Sequence, residues 1–176
     1  YQGQIVSLKE AHQQSVNASH LITIEDGQEI LDNIAAKIPL QSTGQAQISV
    51  CNQSAVDAVW SLSKFDDVAV LNFASAKNPG GGFLNGAMAQ EESLATASGL
   101  YDTLLANETY YTTNRQNASM MYSDLAIFSP NVVFFRDGKF NLLAPYTTAS
   151  VLTIPAVNYG QVLLKKEDAQ QAKNVM

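Results

Sequence analysis

A chain of 176 residues is long enough for one domain with a real core and too short for two comfortable ones. It is 46% hydrophobic and 9% aromatic, the balance of a globular protein, and its net charge of −6 excludes the basic field through which nucleic-acid binders release counterions. The lone Cys51 excludes an intrachain disulfide, and no apolar run approaches the roughly 20 residues that cross a bilayer, so a cytoplasmic location without membrane contact is expected.

Taken in chain order, Gln4–Leu8 predicts a short strand and Lys9 to about Ser19 a helix. Leu21–Glu25 alternates as a strand, Asp26-Gly27 reads as a turn, and a helical stretch follows through Lys37 until Pro39 stops it. The 25 residues from Pro39 to Ser63 hold a single charge, Asp57, which suggests cover on both faces. Within them Gln47–Asn52 predicts a strand, and Ser54 is placed to cap a helix over Ala55–Lys64 that carries Trp60. Val68–Phe73 is the clearest buried strand. An irregular stretch, Ala74–Ala89, leads to a helix from Gln90 toward Leu105 and a second over Glu108–Gln116. Ala126–Ser129 and Val132–Arg136 predict strands, Asp137-Gly138 a turn, and Phe140–Leu143 and Val151–Pro155 further strands. Lys165–Met176 predicts a helix, while Trp60 and Cys51 are assigned to the core. The alternation predicts an α/β layered fold, and nothing marks a domain boundary within residues 1–176.

The chemistry concentrates between Leu71 and Leu94, where a strand runs into Gly80-Gly81-Gly82 and then into a helix start at Gln90-Glu91-Glu92. Three consecutive glycines cost conformational entropy, yet they let the backbone approach a ligand and offer successive N–H groups to an anion. No Gly-Lys-Ser/Thr follows them, and the G-x-G-x-x-G spacing of a dinucleotide fold is absent. Read without the glycines, two glutamates at a helix start do no more than complement the macrodipole. The two histidines, His12 and His20, have no metal-ligand spacing, so neither metal nor cofactor is expected.

Three glycines, seven residues and then Gln-Glu-Glu closely resemble the signature of the bacterial-type poly(ADP-ribose) glycohydrolase family. The flanks agree: Asn72-Phe73-Ala74-Ser75-Ala76 before the glycines, and Ser93-Leu94 with Ser98-Gly99-Leu100-Tyr101 after them. Met121-Tyr122-Ser123-Asp124, Ser129-Pro130, Val133-Phe134-Phe135-Arg136-Asp137 and Pro155-Ala156-Val157-Asn158 extend the similarity along the chain. The resemblance implies a macrodomain, a three-layer α/β/α fold with a mixed central sheet, that acts on poly(ADP-ribose) or ADP-ribosylated protein and releases ADP-ribose. It also implies a first helix before Tyr1 and a second glycine-rich diphosphate loop with no counterpart here, so the sequence reads as an incomplete macrodomain.

By the same resemblance Glu92 is the general acid that protonates the departing ribose oxygen and then the base toward water. Glu91 hydrogen-bonds ribose hydroxyls and Gln90 steadies the pair. Adjacent helical side chains diverge by about 100°, so Glu91 and Glu92 are not expected to flank one bond as a glycosidase pair does. A helix N-terminus lowers a carboxyl pKa where a general acid needs it raised; like charge and burial supply the opposite push. Gly80, Gly81 and Gly82 are the expected diphosphate loop, and Asn72 and Ser75 are placed to donate to ribose hydroxyls. Phe83 either packs on a ribose or forms core under the loop. The alternative from another class is a macrodomain module that binds ADP-ribose without turnover, or an inactive truncated fragment.

Overall fold

The computed structural model describes residues 5–37, 46–166 and 169–175. Helix α1 runs Lys9–Ala18 and strand β1 His20–Ile22. Residues 5–8 form no strand, and Gln4 and Pro39 lie outside the described residues. Helix α2, Ile24–Lys37, begins before Asp26-Gly27, which is therefore not a turn, and the expected strand through Glu25 ends at Ile22. A reciprocal cap sets this start. Asp26 Oδ2 accepts from the Thr23 N–H at 2.8 Å and its hydroxyl at 2.9 Å, while the Asp26 N–H donates to Thr23 Oγ1 at 3.2 Å. The Thr23 N–H, with the hydroxyl behind it, holds the Asp26 carboxyl below its ordinary range.

Residues 46–54 are irregular and exposed, so the expected strand Gln47–Asn52 does not form, and Cys51 is surface rather than core. Ile48 and Val50 alternate correctly but face solvent at 89% and 95% exposure. Alternation makes a strand only where a neighbour supplies paired N–H and C=O groups. Helix α3, Ala55–Leu62, starts as expected at Ser54, whose Oγ accepts the Asp57 N–H at 3.1 Å. Trp60 packs against the core and donates its indole N–H to the Arg136 carbonyl at 2.7 Å.

Strand β2 spans Ala69–Ala74, β3 Ala126–Arg136 and β4 Leu142–Pro155. The sheet order is β1-β3-β4-β2, with β2 parallel to β4 and the other pairs antiparallel, the mixed sheet of an α/β fold. β3 and β4 are each longer than the separate pieces read from sequence. Pro130-Asn131 does not end β3 but shifts its register between Ser129 and Val132, with Asn131 at φ 51°. The polar run Thr147-Thr148 lies in β4 because it pairs with Phe134 and Val133. β2 is an edge strand, not one buried on both faces: Asn72 and Ala74 face inward, whereas Phe73 is 57% exposed.

Helices α4 (Gln90–Ala97), α5 (Leu100–Leu105) and α6 (Glu108–Gln116) follow the glycine loop. The single helix expected through Leu105 is broken because Ser98 is extended and bridges to Phe134, and the Gly99 N–H donates to the Val133 carbonyl at 2.9 Å. With α3 these helices bury Val56, Val59, Leu94, Leu100, Leu104, Tyr110 and Tyr111 against Ile127, Val132, Phe134 and Val151 of the sheet. A smaller cluster joins Met120 to α7 (Tyr159–Leu164) and α8 (Ala169–Val175). The helix expected from Lys165 starts later, at Ala169, and α7 before it, capped by the Asn158 side chain, is a helix the sequence reading does not predict. Among the described residues no helix is long and apolar enough to cross a membrane.

Candidate active site

β2 delivers its carboxyl end to the glycine loop, and the first turn of α4 returns beside it. Three consecutive side chains of that turn grip three different backbone segments. The Gln90 amide pairs with the free edge of β2, donating to the Leu71 carbonyl at 2.6 Å and accepting the Phe73 N–H at 2.9 Å. It thereby occupies the bonds a further strand would use. Glu91 Oε2 accepts the Ser75 N–H at 2.7 Å, where β2 ends. Glu92 Oε1 accepts the Gly82 N–H at 3.0 Å.

The glycines serve this grip. Gly80 and Gly81 sit at φ 66° and 60°, the left-handed region where a side chain is strained. A Cβ on Gly81 would collide with Glu92 Oε1 and lie 3.1 Å from Glu91 Oε2. Both carboxyls therefore converge on one loop residue, although their Cβ atoms diverge as adjacent helical residues must. The loop does not present a row of free N–H groups as its sequence suggests. The Gly81 N–H donates to the Asn78 carbonyl at 3.0 Å and the Gly82 N–H is taken by Glu92. The run is needed for close approach of the backbone to two carboxyls, a requirement that glycine content alone does not distinguish from anion binding.

Beside the loop lies an open cleft of about 540 Å³ lined by Ser75, Asn78, Gly81, Gly82, Leu84, Glu92 and Tyr101, among others. The cleft thus brings together Glu92, Ser75, Gly81 and Gly82 of the residues singled out in the sequence, and leaves Asn72, Glu91 and Phe83 out of its lining. Asn72 is fully buried on the inner face of β2 and donates to Thr153 Oγ1 at 3.2 Å, so it backs the site rather than lining it. Glu91 is 4% exposed and also lies behind the cleft wall. Phe83 is half-buried and packs edge-on against Tyr101 at 4.8 Å between centroids, beside Gly80. Tyr101 lines the cleft but is unmarked by residue-level reasoning; its one signal is its place in the Ser98-Gly99-Leu100-Tyr101 flank. Arg115 of α6 braces the loop, its Nε–H donating to the Lys77 carbonyl at 2.8 Å.

Burial pushes the Glu91 carboxyl up to about 7; the Ser75 N–H opposes this and the like charge of Glu92 adds to it. Among the described residues no three His, Cys, Asp or Glu side chains gather in a way that could hold a metal ion.

No curated protein matches the chain. The family profile of the microbial-type PARG catalytic domain matches residues 1–137. The crystal structure of poly(ADP-ribose) glycohydrolase from Thermomonospora curvata is 34% identical with a TM-score of 0.90, covering 99% of this chain and 63% of its own. The same enzyme bound to the inhibitor ADP-HPD gives 34% and 0.86, with 99% and 62% covered. The Deinococcus radiodurans enzyme in complex with ADP-ribose gives 35% and 0.79, with 98% and 65% covered. The chain spans about 63% of the length of the first of these structures. The glycine loop, the Gln90-Glu91-Glu92 grip and these matches agree: the chain belongs to the microbial-type poly(ADP-ribose) glycohydrolase catalytic-domain family.

Proposed function

We propose that the chain is the catalytic part of a cytoplasmic poly(ADP-ribose) glycohydrolase that cleaves ribose–ribose O-glycosidic bonds and releases ADP-ribose. The observation that carries this reading is Glu92, whose carboxyl faces the cleft and is anchored through one oxygen by the Gly82 N–H. Its other oxygen, Oε2, is left to work on a ligand. Protonated Glu92 gives its proton to the glycosidic oxygen as that bond breaks, and the anomeric carbon gains oxocarbenium character. Water then bonds to that carbon and yields a proton to Glu92, which restores the acid. The Gly82 N–H donates to this carboxyl and holds it in place between the two steps.

Glu91 and Gln90 act through the backbone: Glu91 fixes Ser75 at the cleft edge and Gln90 fixes β2. This replaces direct contact of Glu91 with ribose hydroxyls, which its burial disfavours. Ser75 and Tyr101 are the cleft groups suited to a ribose. The substrate is the polymer or an ADP-ribosylated protein, because the relatives are named for poly(ADP-ribose) and one holds ADP-ribose.

A second reading is a module that holds ADP-ribose without turnover. Chromatographic detection of ADP-ribose released from polymer, with calorimetric titration of ADP-ribose, separates the two. Release by this chain, or by a version extended to the length of its relatives, is the expected result. Binding without release by both would overturn the enzyme reading.

A further inference from the structure

Arg115 stands in the last turn of α6 with an exposed side chain and, among the described residues, no carboxylate to pair with. An arginine so placed is ordinarily a solvated charge. Here its Nε–H is spent on the main-chain carbonyl of Lys77, at 2.8 Å and 38 residues away. Fixing a long side chain on one carbonyl costs conformational entropy, so what that carbonyl belongs to matters. Lys77 is in the turn that carries the end of β2 into the glycine loop. Ser75 Oγ accepts the N–H groups of Lys77 at 3.3 Å and Asn78 at 3.1 Å. The Ser75 N–H is held by Glu91, and the Asn78 carbonyl accepts the Gly81 N–H. Ser75 and Asn78 line the cleft, whereas Lys77 and Arg115 do not.

The turn is therefore tied to α4 at its start and to the glycine loop at its end, and Arg115 ties it to α6 between them. α6 is a firm base. Tyr110 and Tyr111 are buried in the core, and the fully buried Asn114 donates to the Tyr110 carbonyl and accepts both the N–H and the hydroxyl of Ser123 at 2.9 Å. The residue before Ser123, Tyr122, meets the other end of Lys77, whose Nζ lies 6.0 Å from its ring centre. Consecutive residues of α6 thus reach the same lysine by two routes. We propose that Arg115 is a positioning residue for the cleft: through the Lys77 carbonyl it sets where Ser75 and Asn78 stand, and with them the affinity for an ADP-ribose unit. Glu92 keeps its separate anchor on the Gly82 N–H. The ligand named here rests on the glycohydrolase reading; the tie to α6 does not.

In glutamine the amide nitrogen, and in methionine the methyl carbon, occupy the chain position of the arginine Nε. Arg115→Gln and Arg115→Met therefore lose the same charge, but only the first keeps a donor for the Lys77 carbonyl. In the full chain, with each variant checked for folding by its melting curve, hydrogen exchange of the Lys77 and Asn78 amides is followed by NMR. Exchange should match wild type in Arg115→Gln and quicken about threefold to tenfold in Arg115→Met, the range that one net hydrogen bond spans. Calorimetric titration with ADP-ribose should show Kd weakened by a similar factor in Arg115→Met alone. With polymer as substrate, KM should rise in that variant while kcat stays within about twofold of wild type. Equal exchange in all three proteins overturns the proposal, because the tie then holds nothing. Equal changes in the two variants also overturn it, because the charge and not the donor is then what matters. So does an exchange difference without a change in Kd, since the turn would not then set the cleft. A wild type that fails to bind ADP-ribose, even extended to the length of its relatives, overturns the glycohydrolase reading and with it the ligand named here, while exchange still decides whether Arg115 holds the turn.

Discussion

At the scale of single residues, Glu91 and Glu92 are neighbours in sequence that packing sends to different work. Glu92 reaches the cleft, while Glu91 is buried with its carboxyl pushed up to about 7. A group that binds its proton more tightly folded than unfolded stabilises the fold below the unfolded value and loses that contribution as pH rises through the folded one. From the ordinary value of 4.5 to about 7, wild-type stability should therefore fall relative to Glu91→Gln. The difference should be on the order of 3 kcal/mol, read by denaturant titration at a series of pH values. Parallel pH dependences in the two proteins would place Glu91 outside the buried site. The motif residues were legible as a group, because glycines followed by Gln-Glu-Glu form a rare pattern. Their division of labour was not, since it depends on which backbone N–H each carboxyl meets. Asn72 illustrates the limit: its position at the end of a strand suggested the ligand, but its inward register places it against Thr153.

At the scale of elements, the first turn of α4 is joined to β2 through Gln90, whose amide gives one bond and takes one. Gln90→Ala removes both and should cost about 1–3 kcal/mol, at the usual net value per bond. Gln90→Glu should be worse, because its carboxylate still accepts the Phe73 N–H but faces the Leu71 carbonyl with no proton to give. Equal unfolding midpoints for the three proteins would show that the pair carries no stability. Helices with clear caps were readable from sequence: Ser54 opens α3 as expected. Errors arose where tertiary pairing overrode local pattern. The exposed run around Ile48 and Val50 has strand alternation without a partner, and the polar centre of β4 is a strand only because β3 lies beside it. The break at Ser98 follows from its bridge to Phe134, a contact 36 residues away that no local rule anticipates.

At the scale of the whole molecule, one buried face of a mixed sheet supports α3–α6, and this layer holds the cleft, the glycine loop and α4 in register. A chain with net charge −6 gains nothing from long-range attraction to a diphosphate, so recognition must be local to the cleft. The central claim is that Glu92 transfers the protons. The most direct test compares steady-state release of ADP-ribose from poly(ADP-ribose) by the wild type and Glu92→Gln, in the shortest version of the domain that is active. The substituted amide keeps an oxygen to accept the Gly82 N–H but cannot cycle a proton, so kcat should fall by about 10²–10⁴-fold while ADP-ribose affinity and melting temperature change little. Retained kcat in a folded Glu92→Gln protein would contradict the account.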